Sequence, residues 1–340
     1  MMCDMNLDSL SWTTDELGSN YRRATLPLGP DPDGSGEVSA VLVQALPDEV
    51  TGKPALLWVH GMSDYFFQDH VAQHYKELGY PFYALDLRKC GRAHHEGHQW
   101  HYTTDMRHYF DELTEATKLI AEKHGSVIPL AHSTGGLITP LWLDHLRRND
   151  PQTHALVAGQ ILNSPWLDMQ FPSWVVAVTT PIVDIVGRRF PLCPLPSIGE
   201  ATYGESIYKG AHGRWDYDTE KKAMGGHKKF LGWFRAVIVA QKEIHEGAVD
   251  SGVPTLTLCS SHSYLNKPYS AAADTADTVL DVKQIQHWAP HVSSTPGSTT
   301  KVIDGALHDV FLSAPLARQN AFREMDGWLE GVADKRKAQK

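Results

Sequence analysis

The chain has 340 residues, of which 42% are hydrophobic and 21% charged, with 27 glycines and 20 prolines. That usage excludes a disordered or collagen-like chain, since both need far more skewed compositions. Forty acidic against 31 basic residues give a formal charge of −9, which with no long basic run disfavours a phosphate-neutralising nucleic-acid surface and favours a small uncharged or apolar partner.

Residues 1–8 place acids where an export signal needs positive charge and an apolar stretch, so a cytoplasmic address is expected. Two edge strands are predicted over 22–28 and 37–46, around the turn-rich segment 30–36. From 54 to 163, short apolar runs at 55–59, 82–85, 127–131 and 156–162 alternate with helical periods at 68–78, 105–123 and 134–148. Runs apolar on both faces and separated by helices predict a mostly parallel sheet flanked by helices. Pro129 conflicts with a central strand, because it lacks an amide donor.

Residues 165–250 show no clear strand but hold helix-like pieces at 173–187 and 228–246, which predicts an inserted helical cap. The core is therefore expected to comprise 1–164 and 251–340. The most apolar long segment, 174–187, is interrupted by Thr179, Thr180, Pro181 and Asp184 and falls short of the ~20 residues that span a bilayer. A strand at 254–259, a helix at 282–288, a strand at 300–303 and a last helix at 314–329 complete the pattern, with a frayed tail expected at 334–337. The four cysteines, Cys3, Cys90, Cys193 and Cys259, form no CxxC pair and are expected to be reduced and buried.

Three short segments carry chemistry. Ala131-His132-Ser133-Thr134-Gly135-Gly136 lies between a strand and a helix, where a serine on a sharp turn needs small neighbours and gains the free amides of a helix N-terminus. His60-Gly61-Met62-Ser63 follows another strand and can present the Met62 N–H beside that of Thr134, giving two donors for an oxyanion. Gly305-Ala306-Leu307-His308-Asp309 follows the last strand, and His308 is the last of 19 histidines, as the chain order serine, acid, histidine requires of the base.

With these segments the chain resembles the α/β-hydrolase superfamily, and within it the monoacylglycerol lipase/lysophospholipase and serine-aminopeptidase-like branch. The segments 58–66 and 86–92 look like those of an actinobacterial subgroup. The resemblance implies an α/β-hydrolase fold with a helical cap and a triad acid late in the chain. Thr275-Ala276-Asp277-Thr278-Val279-Leu280-Asp281 resembles the stretch in which monoacylglycerol lipases carry that acid, which implies Asp277, with Asp281 in reserve.

Other features have plainer readings. His94-His95-Glu96-Gly97-His98 lacks the helical His-Glu-x-x-His spacing of zinc proteases, so no metal is expected. Asp86 and Arg88 could touch substrate but more commonly anchor a loop. In the cap, Trp174 and Trp233 could line an acyl channel or simply form core, and with His60 and Gly61 they are the expected substrate contacts.

These observations predict a cofactor-independent serine hydrolase acting on a lipid-like or aromatic carboxylic ester through Ser133, His308 and Asp277. Acyl transfer, amide or peptide hydrolysis on the same residues, and a non-catalytic small-molecule receptor are the alternatives. Serine at the elbow disfavours chemistry that begins with a carboxylate nucleophile.

Overall fold

A computed structural model describes residues 6–170, 173–196 and 201–339. Nine strands form one sheet: β1 (Thr13–Asp15), β2 (Gly18–Pro30), β3 (Glu37–Ala45), β4 (Ala55–Val59), β5 (Phe82–Asp86), β6 (Val127–His132), β7 (Gln160–Asn163), β8 (Thr255–Ser260) and β9 (Thr299–Ile303). Their spatial order is β1-β2-β3-β5-β4-β6-β7-β8-β9. The pairs β1/β2, β2/β3 and β3/β5 are antiparallel, and every pair from β5 to β9 is parallel.

The helices are α1 (Asp69–Glu77), α2 (Phe110–His124), α3 (Gly135–Asn149), α4 (Pro151–His154), α5 (Ser173–Arg189), α6 (Thr202–Ile207), α7 (Leu231–His245), α8 (Val282–Trp288) and α9 (Pro315–Gln339). Side chains alternate across the sheet, and the two faces bury different helices. Leu57, Val59, Leu85 and Ala131 pack with α2, α3 and α7 through Leu113, Leu137 and Val237. Leu56, Trp58, Ala84 and Leu130 pack with α1 and α9 through Val71, Tyr75, Ala321 and Met325. Continuous apolar runs are what a sheet covered on both faces requires.

Pro129 sits in β6 between β4 and β7 without breaking the sheet. Val127 exchanges backbone bonds with the β7 side, accepting from Ala158 and donating to Leu156. By the two-residue period Pro129 faces the same way, and its missing donor falls before β7 begins at Gln160; pairing resumes at Leu130↔Ile161.

Between β7 and β8 the described residues contain α5, α6 and α7 and no named strand, only the isolated bridges Pro194↔Phe230 and Tyr208↔Trp215. The run at 156–162 is a strand only over Gln160–Asn163. The last helix runs on to Gln339, through the tail expected to fray. Cys90 and Cys259 are buried, whereas Cys193 is exposed, because it follows α5 at the surface rather than packing in the core; Cys3 lies outside the described residues. Among the described residues no helix is long and apolar enough to cross a membrane.

Candidate active site

Ser133 occupies the turn from β6 into α3 with a backbone φ of +53°, a left-handed conformation that is uncommon outside glycine. Its N–H donates to Asn163 O at 3.0 Å, fastening the turn to the end of β7. The small neighbours are sterically required. A Cβ on Gly135 would stand 2.6 Å from His60 O, and one on Gly136 would stand 2.7 Å from Pro165 Cβ.

His308 reaches this turn from the loop after β9, with Nε2 3.0 Å from Ser133 Oγ. Its Nδ1 lies 2.9 Å from Asp277 Oδ2. An ionised carboxylate only accepts, so Nδ1 carries the proton and Nε2 is left to accept from the serine hydroxyl. Asp277 is fully buried. Its Oδ1 accepts the Val279 and Leu280 N–H groups, both at 2.8 Å, which turns Oδ2 toward His308. The segment after β8 folds back through the bridge Ser263↔Asp277 and so carries Asp277 to the sheet edge. Asp281 is placed otherwise: it caps α8 by accepting the Lys283 N–H at 2.9 Å.

The Gly61–Met62 peptide lies against Ser133. A Cβ on Gly61 would come 2.8 Å from Ser133 Cβ. The Leu87 N–H donates to His60 Nε2 at 3.0 Å, so His60 Nδ1 carries the proton and donates to Gly61 O at 2.8 Å. In a trans peptide the N–H points away from the carbonyl, so holding Gly61 O on one side turns the Met62 N–H to the other. No acceptor is paired with the Met62 or Thr134 N–H among the described residues. His60 was expected to touch substrate, but it is buried behind this peptide with both ring nitrogens engaged. Gly61 likewise stands outside the cavity wall, because it packs directly on Ser133.

A cavity of about 350 Å³ opens over Ser133, walled by Met62, Thr134 and His308. One flank is apolar, with Trp166, Met169, Trp233, Phe234 and Leu280. Trp233 is thus in the wall, while the side chain of Trp174 lies outside the described residues. The other flank, which an uncharged or apolar partner did not lead one to expect, carries Ser63, Asp64, Lys222 and Lys229. Lys222 Nζ lies 2.8 Å from Asp64 Oδ1, and both are buried. Burial works to raise the Asp64 carboxyl, but the charge and hydrogen bond of Lys222 outweigh it and hold it below the usual range. His132 donates through Nδ1 to Asn163 O. Burial, opposed by Asp309 and reinforced by His308, pushes its imidazole down to about 4, so it is uncharged at neutral pH.

Sequence reasoning missed the residues that brace this arrangement. Asp309 accepts from Asn163 Nδ2 at 2.7 Å and from Gln68 Nε2 at 3.0 Å. Its place beside His308 was the one available signal; its partners are distant in sequence. Asp86 and Arg88 anchor loops, Asp86 to Arg92 at 2.9 Å and Arg88 to Glu112 at 2.6 Å. His94 stacks on Trp100 with ring centroids 3.5 Å apart, and Trp100 on His227 at 4.5 Å. Among the described residues no group of three His, Cys, Asp or Glu side chains is arranged to hold a metal.

Residues 52–314 match the model of the Hydrolase_4 family, described as serine aminopeptidase, S33. The chain belongs to this family of α/β-hydrolases. No curated protein matches it in sequence. Among solved structures it is similar to a soluble variant of the Saccharomyces cerevisiae monoglyceride lipase in complex with a substrate analogue, with a TM-score of 0.62 and 15% identity over 91% of this chain and 97% of that one. The monoacylglycerol lipase of Paleococcus ferrophilus gives a TM-score of 0.62 at 15% identity, covering 91% and 98%. A thermophilic esterase from Thermogutta terrifontis gives 0.53 at 16%, covering 92% and 99%. At these identities the likeness is one of fold: a mostly parallel sheet flanked by helices.

Proposed function

We propose that this family member is a serine hydrolase that cleaves carboxylic esters, with Ser133 as nucleophile, His308 as general base and acid, and Asp277 as the group that orients His308. The observation that carries the reading is the continuous hydrogen-bonded series from Ser133 Oγ through His308 to Asp277, at 3.0 and 2.9 Å, opening onto one cavity. In this reading His308 Nε2 takes the hydroxyl proton as Ser133 Oγ attacks the ester carbonyl. The Met62 and Thr134 N–H groups hold the oxyanion, and His308 returns its proton to the departing alcohol. Water then attacks the acyl-enzyme, with the same imidazole as base. Asp277 fixes the Nδ1–H tautomer and stabilises the imidazolium without itself taking the proton. Residues 165–250 act as the cap, since Trp166, Met224, Trp233 and Phe234 all wall the cavity.

An aminopeptidase must also hold a substrate ammonium, which calls for an available carboxylate. Asp64 is the one carboxylate on the described wall and is already paired with Lys222, which favours an ester over a peptide. The two monoglyceride lipases and the esterase of like fold support the same choice. Hydrolysis of nitrophenyl esters from acetyl to palmitoyl, compared between the native protein and Ser133→Ala, tests the reading. Turnover that is lost in the variant is expected. Turnover retained by Ser133→Ala, or no cleavage and no fluorophosphonate labelling of the native protein, overturns it.

A further inference from the structure

The charged flank of the cavity differs chemically from the apolar one. Three lysines, Lys222, Lys229 and Lys267, face the cavity against the single carboxylate of Asp64, in a chain whose formal charge is −9. Lys222 is neutralised by Asp64 and Lys267 is exposed at the mouth. Lys229 differs from both, because it is partly buried and no acidic or hydrogen-bonding partner accompanies its ammonium among the described residues. Burial alone acts on that ammonium and lowers its pKa. A cation in this position is stabilised most by an incoming anion.

A second donor points to the same spot. The Ser63 Oγ accepts the His227 N–H at 2.8 Å, so its own hydrogen is free to donate into the cavity. The position a Cβ would occupy on Gly226 lies 3.5 Å from Lys229 Nζ and 3.5 Å from Ser63 Oγ. The two donors are therefore no more than twice that distance apart, with an unfilled notch between them. A carboxylate that accepts one hydrogen bond of about 2.8 Å on each oxygen can reach two donors that far apart. Ser63 directly follows Met62, so the notch adjoins the proposed oxyanion site. One unpaired ammonium and one neutral hydroxyl match a single negative charge. A dianion would leave charge uncompensated.

We propose that Lys229 and Ser63 form a carboxylate-binding subsite, so that the substrate is an ester carrying a free carboxylate close to the scissile bond, as in a half-ester of a dicarboxylic acid. This assignment rests on the ester-hydrolase reading for its chemistry, but its binding step is separable. The test uses the Ser133→Ala protein and calorimetric titration with the monomethyl and dimethyl esters of succinate, adipate and suberate. The monomethyl ester is expected to bind ~10–100-fold tighter than the dimethyl ester at the matching chain length, the range of a charge-assisted contact. The difference is expected to shrink with added salt, to vanish in Lys229→Met and to return in Lys229→Arg.

Equal binding of the two esters at every length overturns the subsite, and this comparison needs no change at Lys229. Tighter binding of a methyl phosphodiester of the same length overturns the carboxylate assignment. The native protein, titrated with the same compounds and analysed for products, separates the two readings. Selective binding without hydrolysis keeps the subsite and overturns the esterase. Hydrolysis without discrimination that depends on Lys229 keeps the esterase and overturns the subsite.

Discussion

Asn163 and Asp309 meet side chain to side chain at 2.7 Å, joining the end of β7 to the residue after His308. Asn163 O also accepts the Ser133 N–H, so one residue ties the Ser133 turn and the His308 loop together. Asp309 is fully buried and further accepts from Gln68 and the Phe311 N–H. Asp309→Ala leaves these donors unpaired in the core. A loss of about 2–5 kcal/mol in unfolding free energy is expected, with a fall in kcat as His308 loses its support. Denaturant titration and ester kinetics on the same preparation check both.

The His60 imidazole is expected to act on turnover through the Met62 N–H rather than through substrate contact. His60→Ala releases Gly61 O and is expected to lower kcat about 10–10²-fold with little change in KM, approaching the effect of losing one oxyanion donor. A mainly KM effect in steady-state kinetics would return His60 to a substrate-binding role. Gly61→Ala, which would put a Cβ 2.8 Å from Ser133 Cβ, is expected to be still more damaging.

The two acids implied by the sequence resemblance separate in the fold. Asp277→Asn keeps the shape but presents an amide where His308 needs an acceptor, and a loss of ~10³–10⁴ in kcat is expected. Asp281→Ala removes the cap of α8 and is expected to cost about 1 kcal/mol of stability with turnover nearly intact. The reverse ranking in ester hydrolysis would reassign the triad acid.

Acid is expected to destabilise the fold through its paired carboxylates. Burial works to raise the Asp33 carboxyl, but hydrogen bonds from His108 and Thr104 and the charge of Lys89 outweigh it and bring it down to about 2. A carboxyl with a depressed folded-state pKa adds stability above its unfolded value near 3.8, and that stability is lost as pH falls through the folded value. Asp31, Asp48 and Asp64 shift in the same direction. The melting temperature is therefore expected to drop between about pH 4 and 2. Asp33→Asn is expected to flatten part of that drop in a series of thermal scans.

The elements were legible where the signal is local. The run at 55–59 coincides with β4 because every residue in it is buried on a central strand. The helix at 282–288 coincides with α8. The run at 156–162 pairs as a strand only over Gln160–Asn163, with Val157 joined to Val127 by an isolated bridge; Gly159 between them packs against Trp328, its Cβ position 2.8 Å from that ring, a contact 169 positions away that no short-range pattern carries. Lys222 and Lys229 gave no signal for the same reason: a lysine reads as solvated unless its surroundings are known.

By itself the sequence determined the alternating architecture, the serine turn and the late histidine, because side-chain periodicity, backbone sterics and chain order are properties of neighbouring residues. Tertiary structure alone decided that Asp277 rather than Asp281 faces His308, that His60 holds the Gly61 carbonyl, and that a lysine without a counter-charge looks into the cavity. Each of these depends on a hydrogen bond or charge placed by segments far apart in the chain, and such energies fall off within a few ångströms in space whatever the separation in sequence.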